Sequence, residues 1–166
     1  MTIFDVLANH HRVLDAMFRR VIDAAQEGRD AELAAFAKLS TWLLAVMRCA
    51  RSVVYPVFAR DAGLPGEVEA SRRDHEQIEQ AIHHLRLTGL ASEDWRRAVA
   101  RLRQQVAAHH ELEERILAPL ARARLAPHRA RKLVGEFATR FAAITAVSGV
   151  SITYDPAPGP CGPAAS

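Results

Sequence analysis

The sequence predicts an all-α protein: an up-down-up-down four-helix bundle with a short fifth helix and an irregular C-terminal tail. Three observations carry this. Apolar residues recur near 3.6-residue intervals through almost everything before residue 148. No alternating strand pattern competes before Val150. The breaks marked by Gly, Pro and Ser are short, which forces neighbouring helices to run antiparallel. At 166 residues, 49% hydrophobic and 25% charged, the chain suits one domain with a core of ordinary size, expected over 1–147, followed by a Gly/Pro-rich tail over 148–166.

The first helix is expected to start after Thr2, with Asp5 three residues on as a capping-box partner, and to end by Gly28. Its apolar stripe reads Phe4, Leu7, His11, Leu14, Phe18, Val21. A second helix from about Asp30 to Asp61 carries Phe36, Leu39, Leu43, Val46, Ala50, Val53 and Val57, and stops before Gly63 and Pro65. The third, from about Gly66 to Thr88, carries Val68, Ser71, His75, Ile78, Ile82 and Leu85 and closes at Gly89. The fourth is capped by Ser92 and runs to about Arg124, with Trp95, Val99, Leu102, Val106, His109, Glu113, Ile116 and Leu120 inward. A shorter fifth follows Pro127 with Leu133, Phe137, Phe141 and Ile144. The alternating three- and four-residue steps fit packing at about 20°.

Pro56 and Pro119 fall inside the second and fourth helices, where each removes a backbone hydrogen bond and should bend the helix. Superimposing the two prolines sets Val46 opposite His109 and Ala50 opposite Glu113, and the separations His11 to Pro56 and His75 to Pro119 differ by one residue. The chain is therefore an internal pseudo-repeat, a long helix then a kinked one, used twice. One half keeps an i, i+4 His/Glu pair on a single helix face, the spacing of a bundle-core metal site; the other half has lost it.

His11, His75, His109 and Glu113 stand in stripe positions that otherwise hold apolar side chains. A buried unpaired carboxylate costs several kcal/mol, roughly, so Glu113 needs a cation or donors beside it. Three imidazoles and one carboxylate at similar depth make a mixed N/O site suited to iron, manganese or zinc. Glu79, four residues after His75, is either an extra ligand or an acceptor that holds an imidazole; as an alternative it is an exposed flank residue, and any one histidine is a hydrogen-bonded core residue. His10 and His110 flank inward positions and should point sideways, Glu114 should face solvent, and His83 and His84 read as surface. Cys49, one residue from the vacant Glu position, and Cys161 in the tail form no disulfide framework and no zinc pattern.

On these residues the sequence resembles the haemerythrin-like, HHE cation-binding family over residues 3–124. The matching segments are His11 in Asn-His-His-Arg-Val-Leu-Asp, His75 in Arg-Asp-His-Glu-Gln-Ile, and His109/Glu113 before Pro119. The resemblance implies a bundle holding a di-iron centre with bridging carboxylates, used for oxygen or nitric oxide chemistry. Val46 and Ala50 depart from it, standing where the second helix should supply His and a bridging Glu. The expectation is thus a reduced, mononuclear non-haem iron site of three His and one Glu, one iron per chain, with Val46 and Ala50 as an apolar pocket wall beside an open coordination position. Such a site would bind or activate O2 or NO, as a sensor or carrier or as an oxidoreductase on a small molecule. A metal-free bundle serving protein interaction and a haem-binding variant are the alternatives.

The bulk numbers bound the partners. Net charge is only +3, and the basic run Arg122–Lys132 comes without aromatics or a recognised nucleic-acid motif, so no nucleic-acid partner is expected. No run of uncharged apolar residues reaches the length of a membrane span, and the N-terminal residues do not read as a signal peptide, so the cytoplasm is the expected compartment and no membrane partner is expected. The segment Val150–Tyr154 alternates and could lie on the bundle or pair with another chain; oligomeric state stays open.

Overall fold

The computed structural model describes residues 1–88 and 92–148. Among them all regular structure is helical. Helix α1 spans Ile3–Ala24, started by Thr2, whose backbone N–H and hydroxyl both donate to Asp5 Oδ2 at 2.7 Å. Gly28, at φ +111°, makes the turn into α2 (Arg29–Cys49), a backbone conformation that side chains with a Cβ rarely adopt. A π-helical turn, Ala50–Val54, joins α2 to α3 (Tyr55–Arg60). After Gly63 comes α4 (Pro65–Thr88), and Ser92 Oγ then accepts the Trp95 N–H at 3.2 Å to cap α5 (Glu93–Leu112). A second π-helical turn, Glu113–Leu117, leads into α6 (Ala118–Arg124), and α7 (Pro127–Val147) closes the bundle. The tail beyond Ser148, Cys161 and the expected stop at Gly89 lie outside the described residues.

Pro56 and Pro119 each sit at the start of the α-segment that follows a π turn, where a missing N–H is cheap. The turns close with i→i+5 bonds, Tyr55 N–H to Ala50 O and Ala118 N–H to Glu113 O. Each inserts one residue and moves the inward stripe by one. Val53 and Ile116, expected inward, give way to Val54 (0% exposed) and Leu117 (3%), while Ile116 is 46% exposed. The strict 3.6-residue reading fails at these two turns, whereas the expected inward positions of the two helices between them, Val68 to Leu85 and Trp95 to His109, are all buried.

The fifth helix is not short: α7 has 21 residues, as many as α2. Its Phe141 ring packs with Trp42 of α2, and both Phe137 and Phe141 pack with His10 of α1, at centroid distances between 5.1 and 5.3 Å. It thus shares the core with the other helices. His10, expected to point sideways, is fully buried there and accepts the Trp42 indole N–H at its Nδ1 (3.2 Å). Burial, with the charge of His11 behind it, pushes His10 down to about 4, so it is neutral.

The continuous helix Arg29–Arg60 is, by length and composition, apolar enough to cross a membrane, with mean hydropathy 1.4 over its best window. That apolar surface is largely the bundle core: Phe36, Leu39, Leu43, Val46 and Val54 are all buried against the other helices. Buried Glu32 is held by a two-bond pair with Arg96 of α5 (2.8 and 2.9 Å), which ties the start of α2 to α5. In the basic run, Arg129 pairs with Asp61 and Glu136, and Arg122 lies over the Phe4 ring.

Candidate metal centre

Helices α4 and α5 lie antiparallel: the Trp95 indole donates to Leu85 O near one end, and Asp74 meets His109 near the other. That arrangement carries His75 and His109 to the same level of the core, one from each helix. Glu113, one turn after His109, opens the second π turn on the same face. The His75 and His109 Nε2 atoms lie 2.9 Å apart, and Glu113 Oε1 is 3.6 Å from His109 Nε2. Donor atoms of these three buried residues all fall within 4.8 Å of one another. His75 Nδ1 is buried with no hydrogen-bond partner.

His11 meets the cluster from α1, at the far oxygen of Glu113. Its Nε2 lies 3.1 Å from Glu113 Oε2 and its Nδ1 lies 2.7 Å from Glu114 Oε1. Burial opposes its charge, but the two carboxylates outweigh burial and raise its pKa, which favours the charged form of the ring that bridges them. The His110 ring, half-buried, stacks on His11 at 3.7 Å. Glu114 keeps half of its side chain in solvent while accepting from His11. Burial works to raise the Glu113 carboxyl, but the imidazoles, His109 and His11 foremost, hold it well below the ordinary carboxylate range.

Tyr55 was not singled out by periodicity, yet it is fully buried and its hydroxyl donates to Glu113 Oε1 and lies 3.2 Å from His75 Nε2. The signal was the first π turn. An i→i+5 turn stacks Tyr55 over Ala50, where an α-helix would aim it off the stripe. Burial first, then the Glu113 charge, raises the Tyr55 phenol well above its usual value and keeps it protonated. The second helical rod thus does contribute an oxygen to the centre, from Tyr55 rather than from position 50.

The remaining candidates fall elsewhere. Both Glu79 oxygens accept from the Arg51 guanidinium at 2.8 Å, so the carboxylate is engaged outside the cluster. Val46 and Ala50 are buried members of the hydrophobic core. Cys49 is fully buried and burial pushes its thiol up to about 12, which removes it as a thiolate donor. His83 and His84 are exposed.

Two nitrogens and one carboxylate oxygen, buried and convergent, match the chemistry of a divalent-cation site, and the unpartnered Nδ1 shows that the protein's own hydrogen bonds do not fully satisfy these groups. Comparison with known proteins bears on the same residues. The sequence pattern of the Hemerythrin HHE cation binding domain matches residues 2–121. The crystal structure of a Hemerythrin HHE cation binding domain-containing protein from Mycobacterium kansasii superimposes with a TM-score of 0.77 at 19% identity, covering 89% of this chain and 90% of that one. No curated protein matches the sequence.

Proposed function

The chain belongs to the hemerythrin HHE cation-binding domain family, and from that premise we propose that it holds a single non-haem iron per chain and uses it to bind or activate O2 or NO. The observation that carries this reading is the convergence of His75, His109 and Glu113 in a buried cluster. Two imidazoles and one carboxylate on one side leave coordination positions open, the donor pattern of non-haem iron sites that work on oxygen; manganese or zinc fit the same donors less selectively. Bound iron would supply Lewis-acid and redox chemistry at those positions.

The chain's own residues do the rest. His75 offers a neutral nitrogen, because burial and the neighbouring His109 push it down to about 3, and His109 offers a second nitrogen beside it. Glu113 neutralises part of the cation's charge with Oε1 while His11 holds its other oxygen. Tyr55 keeps a proton at the edge of the centre, on the hydroxyl that donates to Glu113. The apolar side chains of Val46 and Ala50 are buried in the hydrophobic core. The expected set of three His and one Glu becomes three convergent donors plus the His11 imidazole on Glu113, which again favours one metal over two. We place the protein in the cytoplasm, with a diatomic gas or small molecule as its partner.

A second reading has an observation behind it. The cluster's polar atoms, His75 Nδ1 apart, are hydrogen-bonded to each other, as a metal-free bundle kept for protein interaction would require. Metal analysis of protein made with iron supplied separates the two. About one iron per chain supports the proposal, about two contradicts the mononuclear site, and none supports the metal-free bundle.

A further inference from the structure

We propose that Asp74 is the positioning residue of this centre: it fixes the direction of the protons in the cluster and thereby aims the His109 Nε2 lone pair at the cation. The inference rests on the cation-binding reading above and names the residue that prepares the site.

The hydrogen bonds allow one consistent order. Asp74 Oδ2 lies 3.2 Å from His109 Nδ1, and a carboxylate can only accept, so His109 carries its proton on Nδ1. With a single proton, held on Nδ1, the His109 ring presents Nε2 as a bare acceptor. His75 Nε2, 2.9 Å away, must then be the donor, and the same N–H lies 3.2 Å from the Tyr55 oxygen. Tyr55 in turn donates to Glu113. This leaves His75 Nδ1 bare, in agreement with its lack of a partner. Without the acceptor at position 74, His109 is free to place its proton on Nε2, which reverses the bond to His75 and closes the His109 lone pair. With Asp74 in place only the His75 proton has to move, to its unpartnered Nδ1, for a cation to meet both Nε2 atoms.

Asp74 is also the only member of this chain of bonds with substantial contact to solvent, its side chain being 37% exposed. With His109, Gln77 and Gln105 it lines a surface cleft of about 300 Å³ between α4 and α5. A substitution there changes the acceptor without opening the core. A carboxylate that orients a ligating imidazole changes metal affinity by about 10–100-fold when removed.

The test compares Asp74→Ala and Asp74→Asn with the parent chain. Imidazole 15N–1H correlation spectra of metal-free protein read the His109 tautomer, and chelator competition reads affinity for Zn2+. The expected result is His109 protonated on Nδ1 in the parent, loss of that tautomer in Asp74→Ala, and affinity lower by about 10–100-fold. Asp74→Asn, whose carbonyl oxygen still accepts, should retain the tautomer and most of the affinity. An Asp74→Ala protein with His109 still protonated on Nδ1 overturns the proposal. Because the tautomer is read without metal, a parent chain that binds no cation would refute the proposed function separately, while the spectra still decide the role of Asp74.

Discussion

Ala50 and Glu113 occupy the same place in two equivalent turns: each opens a π-helical turn, each accepts the amide five residues on, and each is followed by a proline at the same distance. The repeat is therefore a repeat of backbone geometry, including the inserted residue, and not only of apolar spacing. One copy puts a carboxylate at the turn. The other puts a methyl group there and brings Tyr55 over it.

Glu113→Ala, and separately His109→Ala, should abolish cation binding while leaving a helical protein. Each removes one of the three convergent donors found among the described residues, and the other two cannot compensate at the same geometry. His84→Ala should leave metal content unchanged, since that side chain is exposed. Metal analysis with far-UV circular dichroism checks both halves; metal retained in both core variants would remove the proposed site.

Tyr55→Phe deletes a buried hydrogen bond to a charged carboxylate and leaves the ring packing on His75. The metal-free variant should lose about 1.5–3 kcal/mol of unfolding free energy, the range for bonds to charged groups. Urea denaturation measures it, and a loss within error of zero would show that Glu113 does not depend on the phenol.

Restoring the missing pair, Val46→His with Ala50→Glu, should raise iron per chain above the parent. The equivalence of the two π turns puts Ala50 where Glu113 stands in the other half, and both positions are buried. Two new buried polar groups should make the metal-free double variant less stable. A folded double variant with no added iron would show that the backbone repeat does not extend to the side-chain directions.

Acid should weaken the metal-free protein through its neutral buried histidines. His10 has a folded pKa of about 4, below the 6.5 of an unfolded chain. Above pH 6.5 neither state takes the proton and its contribution is complete. As pH falls from 6.5 towards about 4 only the unfolded state is protonated, and stability is lost at up to about 1.4 kcal/mol per pH unit. His75 acts in the same direction. His11, whose pKa is raised, acts oppositely: its contribution is present below pH 6.5 and lost as pH rises through its folded value. His10→Leu should flatten the acid slope in urea denaturation at a series of pH values, and an unchanged slope would contradict the burial argument.

Much of this was legible in the sequence. The helices, their caps at Thr2 and Ser92, and the group His75, His109 and Glu113 follow from periodicity and from polar residues in apolar stripes. Three features were not. The π turns add a residue without any local composition change, so the inward positions after Ala50 and Glu113 shift from Val53 to Val54 and from Ile116 to Leu117. Tyr55 reads as an off-stripe residue until that shift is known. His10 is buried because α7 is long enough to cover it, and nothing in α1 reports the reach of a helix that follows Pro127.

The central claim is one cation per chain held by His75, His109 and Glu113. Anomalous diffraction at the iron edge from crystals of iron-loaded protein tests it most directly. One anomalous peak per chain is expected, within bonding distance of His75 Nε2, His109 Nε2 and a Glu113 oxygen. Two peaks sharing Glu113, or a single peak bonded to other residues, would contradict it.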